Sequence, residues 1–372
     1  MHPSRARAYF NHAGLSRPRP SVVELMRAAE RDYNDFLFSE AGVEMYYAML
    51  AECRRAAAAV MGLEGARGIS LLAGATSAVQ LALSALGANL GPGDLVITSD
   101  QEHPCVTRPL NLLARKGVEI AEIAAPLPAE FLERVATLIA KRRPAFVILS
   151  QVSYKNGRIL PVGEVGAMLA AKEIPYIVDG AQAFGHIPLD VAAMQAAVYI
   201  FSGHKWLAGP WGTGGLWTSS EFALRNRVTL SSWEEETDPP AGGRYEGGTM
   251  NYSILAGLAE ACRNYVAEQN DRIAALTRLR DDITSRVDGI YPAAAAPWDG
   301  PIAPGILAYL MPSRLNSCVL AREILDRFGV AIKPFRPPER PDAVRISFSP
   351  TTSVGEIDLL DQAMHAASGA PQ

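Results

Sequence analysis

Cysteine is scarce in this sequence of 372 residues: Cys53, Cys105, Cys262 and Cys318 stand far apart, with no CxxC pair and no histidine at metal-ligand spacing. That excludes a disulfide framework and a structural zinc site, and it implies a reducing compartment. Long apolar runs are missing too. Nowhere do ~18 apolar residues follow one another, and the opening MHPSRARAYF passes straight into polar and charged residues. We therefore expect a cytoplasmic protein with no membrane partner. Neither sign of charge dominates: 35 Lys and Arg against 39 Asp and Glu leave a net charge of -4, with no basic stripe. This argues against nucleic acid or an anionic surface as partner, and for a small molecule. What is present is material for a large core, 49% apolar against 20% charged residues, and a length that implies roughly two domains.

The apolar residues have a rhythm. Between about residues 69 and 217, short β-branched or aliphatic runs recur between longer stretches of helical period: ISLLA, LVIT, VEIAEI, FVILS, YIVD, VYIF and GLW. Runs that are apolar throughout suit a parallel sheet covered by helices on both faces. The expectation is an α/β fold whose ligand sits outside the carboxyl ends of the strands, so the polar residues just after each run matter most. Residues 18–63, opened by RPRPS, read as helical. A loop-rich passage over 231–250 leads to a long helix at about 253–287. The remainder, with GILAYLM, a helix near 317–328, GVAIK, VRISFS and a helix near 353–367, reads as a small α+β domain.

Four strings fall at strand ends. SGHKW at 202–206 follows VYIF, and its lysine either forms a Schiff base whose neighbours bind phosphate or is an ordinary solvated lysine. YIVDGAQAFG puts Asp179 at the end of a buried run, with Gln182 one turn later. A carboxylate there is costly unless paired, and a pyridinium nitrogen would be a suitable partner; its plainer reading is a helix N-cap. GATS places Ala75 and Thr76 at the opening of an amphipathic helix, either an anion site or a simple cap. In QEHPCV, His103 either lies flat against a planar ring or is a loop histidine with its own hydrogen bonds. Each string alone has a plain reading, and their joint placement is what points to a site. A dinucleotide enzyme would instead want GxGxxG after the first strand, where this chain reads LLAGATS.

Taken in order, GATS, EH, DGAQA, SGHKW, RYEGGTMN and VRISFS resemble the class V branch of the fold-type I pyridoxal-phosphate enzymes, over a span from FNHAG at 10–14 to VRISFS at 344–349. That branch includes cysteine desulfurases, isopenicillin N epimerase-like proteins and C–S lyases. The resemblance implies a large domain with a mostly parallel seven-stranded sheet covered by helices, plus a small α+β C-terminal domain. The division would be an N-terminal segment near the active site (1–17), a large cofactor-binding domain (18–255), a connecting helix (256–287) and the small domain (288–372). It implies pyridoxal 5′-phosphate as cofactor and no metal. Lys205 would be the Schiff-base lysine, Asp179 the partner of the ring nitrogen and His103 the residue stacked on the ring, together the catalytic set. Gln182 would bond the phenolic oxygen, and Thr76, the Ala75 backbone, Ser202 and His204 the phosphate. Thr249, in GGTMN, resembles a threonine that reaches the phosphate of the neighbouring subunit, so a homodimer with shared active sites is implied. Arg345 would take the substrate carboxylate, a role that suits its planar fork, with His12 and Tyr154 beside it on the substrate side.

The departures bear on the reaction. Desulfurases carry a nucleophilic cysteine on a loop before the carboxylate arginine, but here that stretch reads GVAIKPFRPPERPDAVR, without cysteine and stiffened by Pro334, Pro337, Pro338 and Pro341. Cys105 and Cys318 read as small packing residues. Tyr154, in QVSYKNG, stands where desulfurases usually have asparagine, and it keeps that hydrogen bond, acts as acid or base, or packs. Trp206 and Trp211 either wall the pocket or anchor the lysine loop. The expected activity is C–S β-elimination from an L-amino acid or cysteine S-conjugate held as external aldimine, with epimerisation or transamination as alternatives and persulfide-forming desulfuration disfavoured. A non-catalytic cofactor-binding module would have no use for Lys205, Asp179 and Arg345 together.

Overall fold

The structure is a computed structural model that describes residues 6–37, 39–124, 127–225, 245–287, 289–294, 298–312, 315–335 and 342–368. In chain order the elements are β1 (Ala8–Tyr9), α1 (Pro20–Asn34), α2 (Glu40–Val60), β2 (Ile69–Leu72), α3 (Ala75–Gly87), β3 (Leu95–Ser99), α4 (Pro104–Arg115), β4 (Glu119–Ile123), α5 (Pro128–Lys141), β5 (Phe146–Ser150), α6 (Val162–Ala170) and β6 (Tyr176–Asp179). There follow β7 (Val198–Ser202), β8 (Gly214–Thr218), α7 (Ser220–Arg225), α8 (Tyr252–Val287), β9 (Ile306–Leu310), α9 (Ser317–Phe328), β10 (Val330–Ala331), β11 (Lys333–Phe335), β12 (Ala343–Ser347) and α10 (Val354–Ser368). Among the described residues no helix is long and apolar enough to cross a membrane.

Two compact units result. The larger takes Arg17–Ser153 and Leu160–Glu268, and the smaller takes the chain up to Ser16, Tyr154–Ile159 and the chain from Gln269 on. The boundary thus falls inside α8.

The large unit is built on a seven-stranded sheet of order β2-β8-β7-β6-β5-β3-β4. β3, β5, β6 and β7 are buried at every position, as strands apolar on both faces must be. β4, on the edge, carries Glu119 and Glu122 and is half open to solvent. β7, β6, β5, β3 and β4 pair in parallel, while β8 runs antiparallel to both β7 and β2. Physical necessity explains the exception: a parallel neighbour needs a crossover of a dozen or more residues, usually a helix, and between β7 and β8 the chain has only the loop 203–213. That loop carries the SGHKW lysine. Helix α3 packs on the sheet through Ala78, Val79, Leu81 and Ala82, and α4 through Val106, Leu110 and Leu113. The helical stretch expected over 18–63 is two helices, broken where Ser39 caps α2 by accepting the Gly42 N–H at 3.0 Å.

The small unit holds a three-stranded antiparallel sheet, β11-β12-β9, and a two-stranded parallel pair, β1-β10. Its core joins Phe10, Ile283, Tyr309, Val330, Ile346, Phe348 and Leu360. Residues 154–159 belong here through backbone pairing, with Ala303 N–H donating to the Gly157 carbonyl and Ile159 N–H to that of Pro301. Pro337, Pro338 and Pro341, expected to stiffen the loop before Arg345, lie outside the described residues, as does most of the passage expected as loop over 231–250.

The chain re-enters the described residues at Tyr245, and Glu246 is what ties it down. Its carboxylate accepts from Arg54 Nε at 3.1 Å and from the Leu71 N–H of β2 at 2.7 Å, and Arg54 and Glu246 are both buried. Removing one member of a buried pair strands the other's charge. We expect E246A to cost about 3–5 kcal/mol in urea unfolding, and R54M/E246Q, which removes both charges, to recover most of that loss.

Candidate active site

The site residues of the large unit gather where β6, β7 and the helices α3 and α4 begin or end. Asp179 closes β6 at 4% exposure, and its Oδ1 accepts the Ala181 N–H at 2.9 Å. Burial pushes this carboxyl above its ordinary value, while the positive charge of Lys205 and the Ala181 hydrogen bond pull it back. Glycine follows because Tyr199 lies beneath: a Cβ at Gly180 would stand 2.1 Å from the Tyr199 ring. The Tyr199 hydroxyl donates to Gln151 Oε1 at 2.9 Å.

The lysine turn is anchored from behind. Trp206 is buried, donates its indole N–H to Gln182 Oε1 at 2.7 Å and stacks on His186 with ring centroids 3.6 Å apart. Of the two readings for Trp206, anchoring is the one the geometry supports. The same bond fixes which way the Gln182 amide points, with its nitrogen as donor. Trp211 is 57% exposed.

His103 is the N-cap of α4, and its Nδ1 accepts the Cys105 N–H at 3.2 Å. That bond leaves the other nitrogen, Nε2, to carry the proton and holds the ring in place. Cys105 is pushed up to about 12, first by burial and then by Asp179, against the pull of Lys205.

At the other end of the site, α3 begins after Gly74, whose φ is +151° and whose side-chain position would lie 3.3 Å from the His204 ring. No side chain caps this helix, so its first N–H groups, at buried Ala75 and exposed Thr76, point into an electropositive end. His204 Nδ1 donates to the Thr213 carbonyl at 3.1 Å, and Ser202 Oγ lies 3.3 Å from Nε2. An anionic phosphate, a basic ring nitrogen, a planar ring face and an aldehyde are the recognition features of pyridoxal phosphate. The uncapped helix with Ser202 and His204, the carboxylate of Asp179, the imidazole of His103 and the amine of Lys205 supply one matching group for each. The residues present fit that cofactor. Thr249 is exposed on the same unit.

In the small unit, Arg345 on β12 is 3% exposed. It donates from Nη1 to the Tyr154 carbonyl at 2.6 Å and from Nη2 to Asn11 Oδ1 at 2.9 Å, and its guanidinium lies 5.6 Å from the Phe335 ring centre. The Tyr154 ring meets Phe335 edge-on. His12 follows Asn11, takes the Tyr9 ring edge at 5.0 Å and has Ser16 Oγ 3.1 Å from Nδ1. Sequence reasoning passed over Asn11 and Phe335; Asn11 stood in the same FNHAG string as His12, whereas nothing local marks Phe335. Cys318, read as a small packing residue, is half-buried in the first turn of α9, where Asn316 caps its N–H: a first helical turn has one face to solvent.

With that geometry in place, comparison with known proteins gives consistent matches. The family model described as aminotransferase class-V matches residues 8–295. An isopenicillin N epimerase of Streptomyces clavuligerus is 28% identical over 355 residues, covering 90% of this chain and 87% of that protein. A probable cysteine desulfurase of Mycolicibacterium paratuberculosis is 28% identical over 84% of this chain, which spans 48% of that relative's length. Among solved structures, a cystine C–S lyase in complex with its reaction product, cysteine persulfide, superposes with a TM-score of 0.83 at 23% identity, covering 100% of both chains.

His204 yields a pH-dependent expectation. Burial, then Lys205, lowers its pKa from 6.5, against the Thr213 carbonyl. With Nδ1 committed to Thr213, Nε2 donates to a phosphate only when the ring is protonated, so anion binding takes up a proton. The wild-type advantage over H204N in binding 4′-deoxypyridoxine phosphate should be about tenfold at low pH and shrink as pH rises through the bound-state value. Taking the ratio cancels the ligand's own titration, and a ratio independent of pH would reject this role for His204.

Proposed function

The chain belongs to the class-V aminotransferase family and is a pyridoxal-phosphate enzyme, and on that premise we propose that it is a C–S β-lyase of cysteine S-conjugates. When bound, the cofactor draws electrons away from the substrate's Cα. Asp179 keeps the proton on the ring nitrogen that makes this withdrawal effective. Lys205 would hold the cofactor through its ε-amine, and the same amine, when free, would take the Cα proton. His103 would stack on the ring, Gln182 would donate to the phenolic oxygen, and Ala75 N–H, Thr76, Ser202 and His204 would hold the phosphate. Arg345, steadied by Asn11 and Tyr154, takes the substrate carboxylate, with His12 and Tyr154 on the substrate side.

The bookkeeping of bonds is that of an elimination. The Cα–H and Cβ–S bonds break, the sulfur leaves with its electron pair and its own substituent, and it takes up a proton as a thiol. The aminoacrylate left behind hydrolyses to pyruvate and ammonium.

The observation that carries this reading is the state of the thiols. Persulfide formation needs a thiolate that reaches substrate sulfur. The stretch from Lys333 to Arg345 has no cysteine, and Cys105, which feels both Asp179 and Lys205, is held as a thiol by burial, up to about 12. The likeness to a cystine C–S lyase supports elimination further. Epimerisation at Cα is the second reading, favoured by the match to an isopenicillin N epimerase over 90% of the chain. The four free cysteines suit the reducing cytoplasm we assign as its location.

We assign the protein a homodimeric state with Thr249 reaching the partner's phosphate. Phe36, Leu37, Val43 and Tyr47 expose large apolar side chains at the α1–α2 corner. The neighbouring Tyr46 hydroxyl accepts the Met250 N–H at 2.7 Å, which joins this face to the exposed Thr249 strand of chain. Sedimentation should show a dimer that V43E/Y47E dissociates with loss of cofactor affinity; a wild-type monomer that binds cofactor and turns over substrate rejects the assignment.

Turnover of cysteine S-conjugates should release pyruvate and free thiol in equal amounts, with C105S and C318S each retaining most activity and K205A none. A persulfide trapped on either cysteine would reject elimination. Inversion of Cα without pyruvate would install the epimerase reading in its place.

A further inference from the structure

Beside the residues assigned above stands a buried acid that the proposed chemistry leaves unused. Glu102, in the turn between β3 and α4, is 3% exposed. Its Oε1 accepts from Ser99 Oγ at 2.6 Å and from the Ser150 N–H at 2.8 Å, and its Oε2 accepts from Ser150 Oγ at 2.7 Å. Both carboxyl oxygens are thereby engaged by serines of β3 and β5.

Its place in the sheet explains those bonds. The β3–β5 register runs through Val96↔Phe146 and Ile97↔Val147 and stops there, although the strands continue to Ser99 and Ser150. The two strands part at their carboxyl ends, and Glu102 spans the opening, taking a backbone N–H that a strand partner would otherwise use. On the other side of β5 the register is intact: Ser150 is the partner of Asp179, and the Gln151 N–H donates to the Asp179 carbonyl at 2.9 Å. One strand therefore separates Glu102 from Asp179, and the next residue in the chain is His103.

We propose that Glu102 is a positioning residue for the cofactor ring: it closes the gap between β3 and β5, sets the start of α4 that carries His103, and places a second negative charge beside Asp179, which makes Asp179 the stronger partner of a protonated ring nitrogen. This rests on the assignment of Asp179 to the ring nitrogen. The groups that face Glu102 are Ser99 on β3, Ser150 on β5, Asp179 and Tyr176 on β6, and Cys105 on α4; Lys205 acts on Asp179 and Cys105. Burial pushes Glu102 up to about 7 against its serine donors, and Asp179 adds to the rise. Its charge is thus present above neutral pH and withdrawn below it.

The sign on stability follows. A buried acid held protonated while the unfolded chain ionises makes the fold lose stability as pH rises from the unfolded value to the folded one.

Two readouts on E102Q, with D179N as control, test the proposal. The first is the ¹⁵N shift of ring-labelled cofactor on the loaded protein across pH. The second is the melting temperature of the cofactor-free protein across the same range. D179N should lose the ring proton outright, and E102Q should raise the ring-nitrogen dissociation constant about tenfold. In the cofactor-free protein, E102Q should gain on the wild type by several degrees as pH rises from about 5 to about 8. An E102Q that melts lower by the same amount at every pH and leaves the nitrogen unmoved is a structural strut only, and the proposal falls while the Asp179 assignment stands. A D179N protein whose ring nitrogen behaves as wild type overturns the Asp179 assignment and this proposal with it. If E102Q does not fold, S150A replaces it: loss of that donor should move the pH-dependent fall in melting temperature to higher pH, and an unmoved fall overturns the proposal.

Discussion

A carboxyl group inside protein must be answered by hydrogen bonds and, where it ionises, by an opposing charge, and Asp179 is a carboxyl group at the end of a strand buried on both faces. Much of the large unit's carboxyl edge is arranged around that demand. The Ala181 N–H holds one oxygen. Lys205 supplies the opposing charge from the loop between β7 and β8, and that loop exists because β8 returns antiparallel instead of crossing over through a helix. Trp206, locked to Gln182 and stacked on His186, keeps the lysine turn against the sheet. Tyr199 fills the space under Gly180.

The same low-dielectric setting sorts the other titratable groups. Burial raises Asp179, Glu102 and Cys105 and lowers His204, each toward its neutral form, with Lys205 opposing the shift at Asp179 and Cys105 and reinforcing it at His204. The consequence for chemistry is asymmetric. A neutral thiol is a poor nucleophile, so burial disfavours attack by Cys105 itself, whereas a neutral His204 remains able to take up a proton when an anion arrives.

The strand runs, the α/β class and the small α+β region were legible in the sequence because burial on both faces leaves continuous apolar runs, and all seven runs became strands of one sheet. The strings at the strand ends were legible for a related reason: a chain leaving the sheet's carboxyl edge exposes polar side chains to one shared crevice, so Ala75, His103, Asp179 and Lys205 announce themselves by position after a run. At the strand ends chemistry named the candidates, while resemblance named their roles and added Thr249, Arg345 and His12.

Other features depend on residues far apart in the chain and have no local signature. Glu102 matters because β3 and β5 part beyond Ile97 and Val147, and Glu246 because Arg54 and the β2 backbone meet it. The membership of residues 154–159 in the small unit follows from pairing with residues 301–303, and the steadying of Arg345 from Asn11, 334 positions away. The sequence by itself determined which segments would be buried and which polar groups would follow them, since both are properties of a residue and its neighbours in the chain. Only the tertiary structure decided which acids share a dielectric, which bases face them and which strands separate at their ends, because a charge's energy depends on distance through space and on the water excluded around it, and neither is written in chain order.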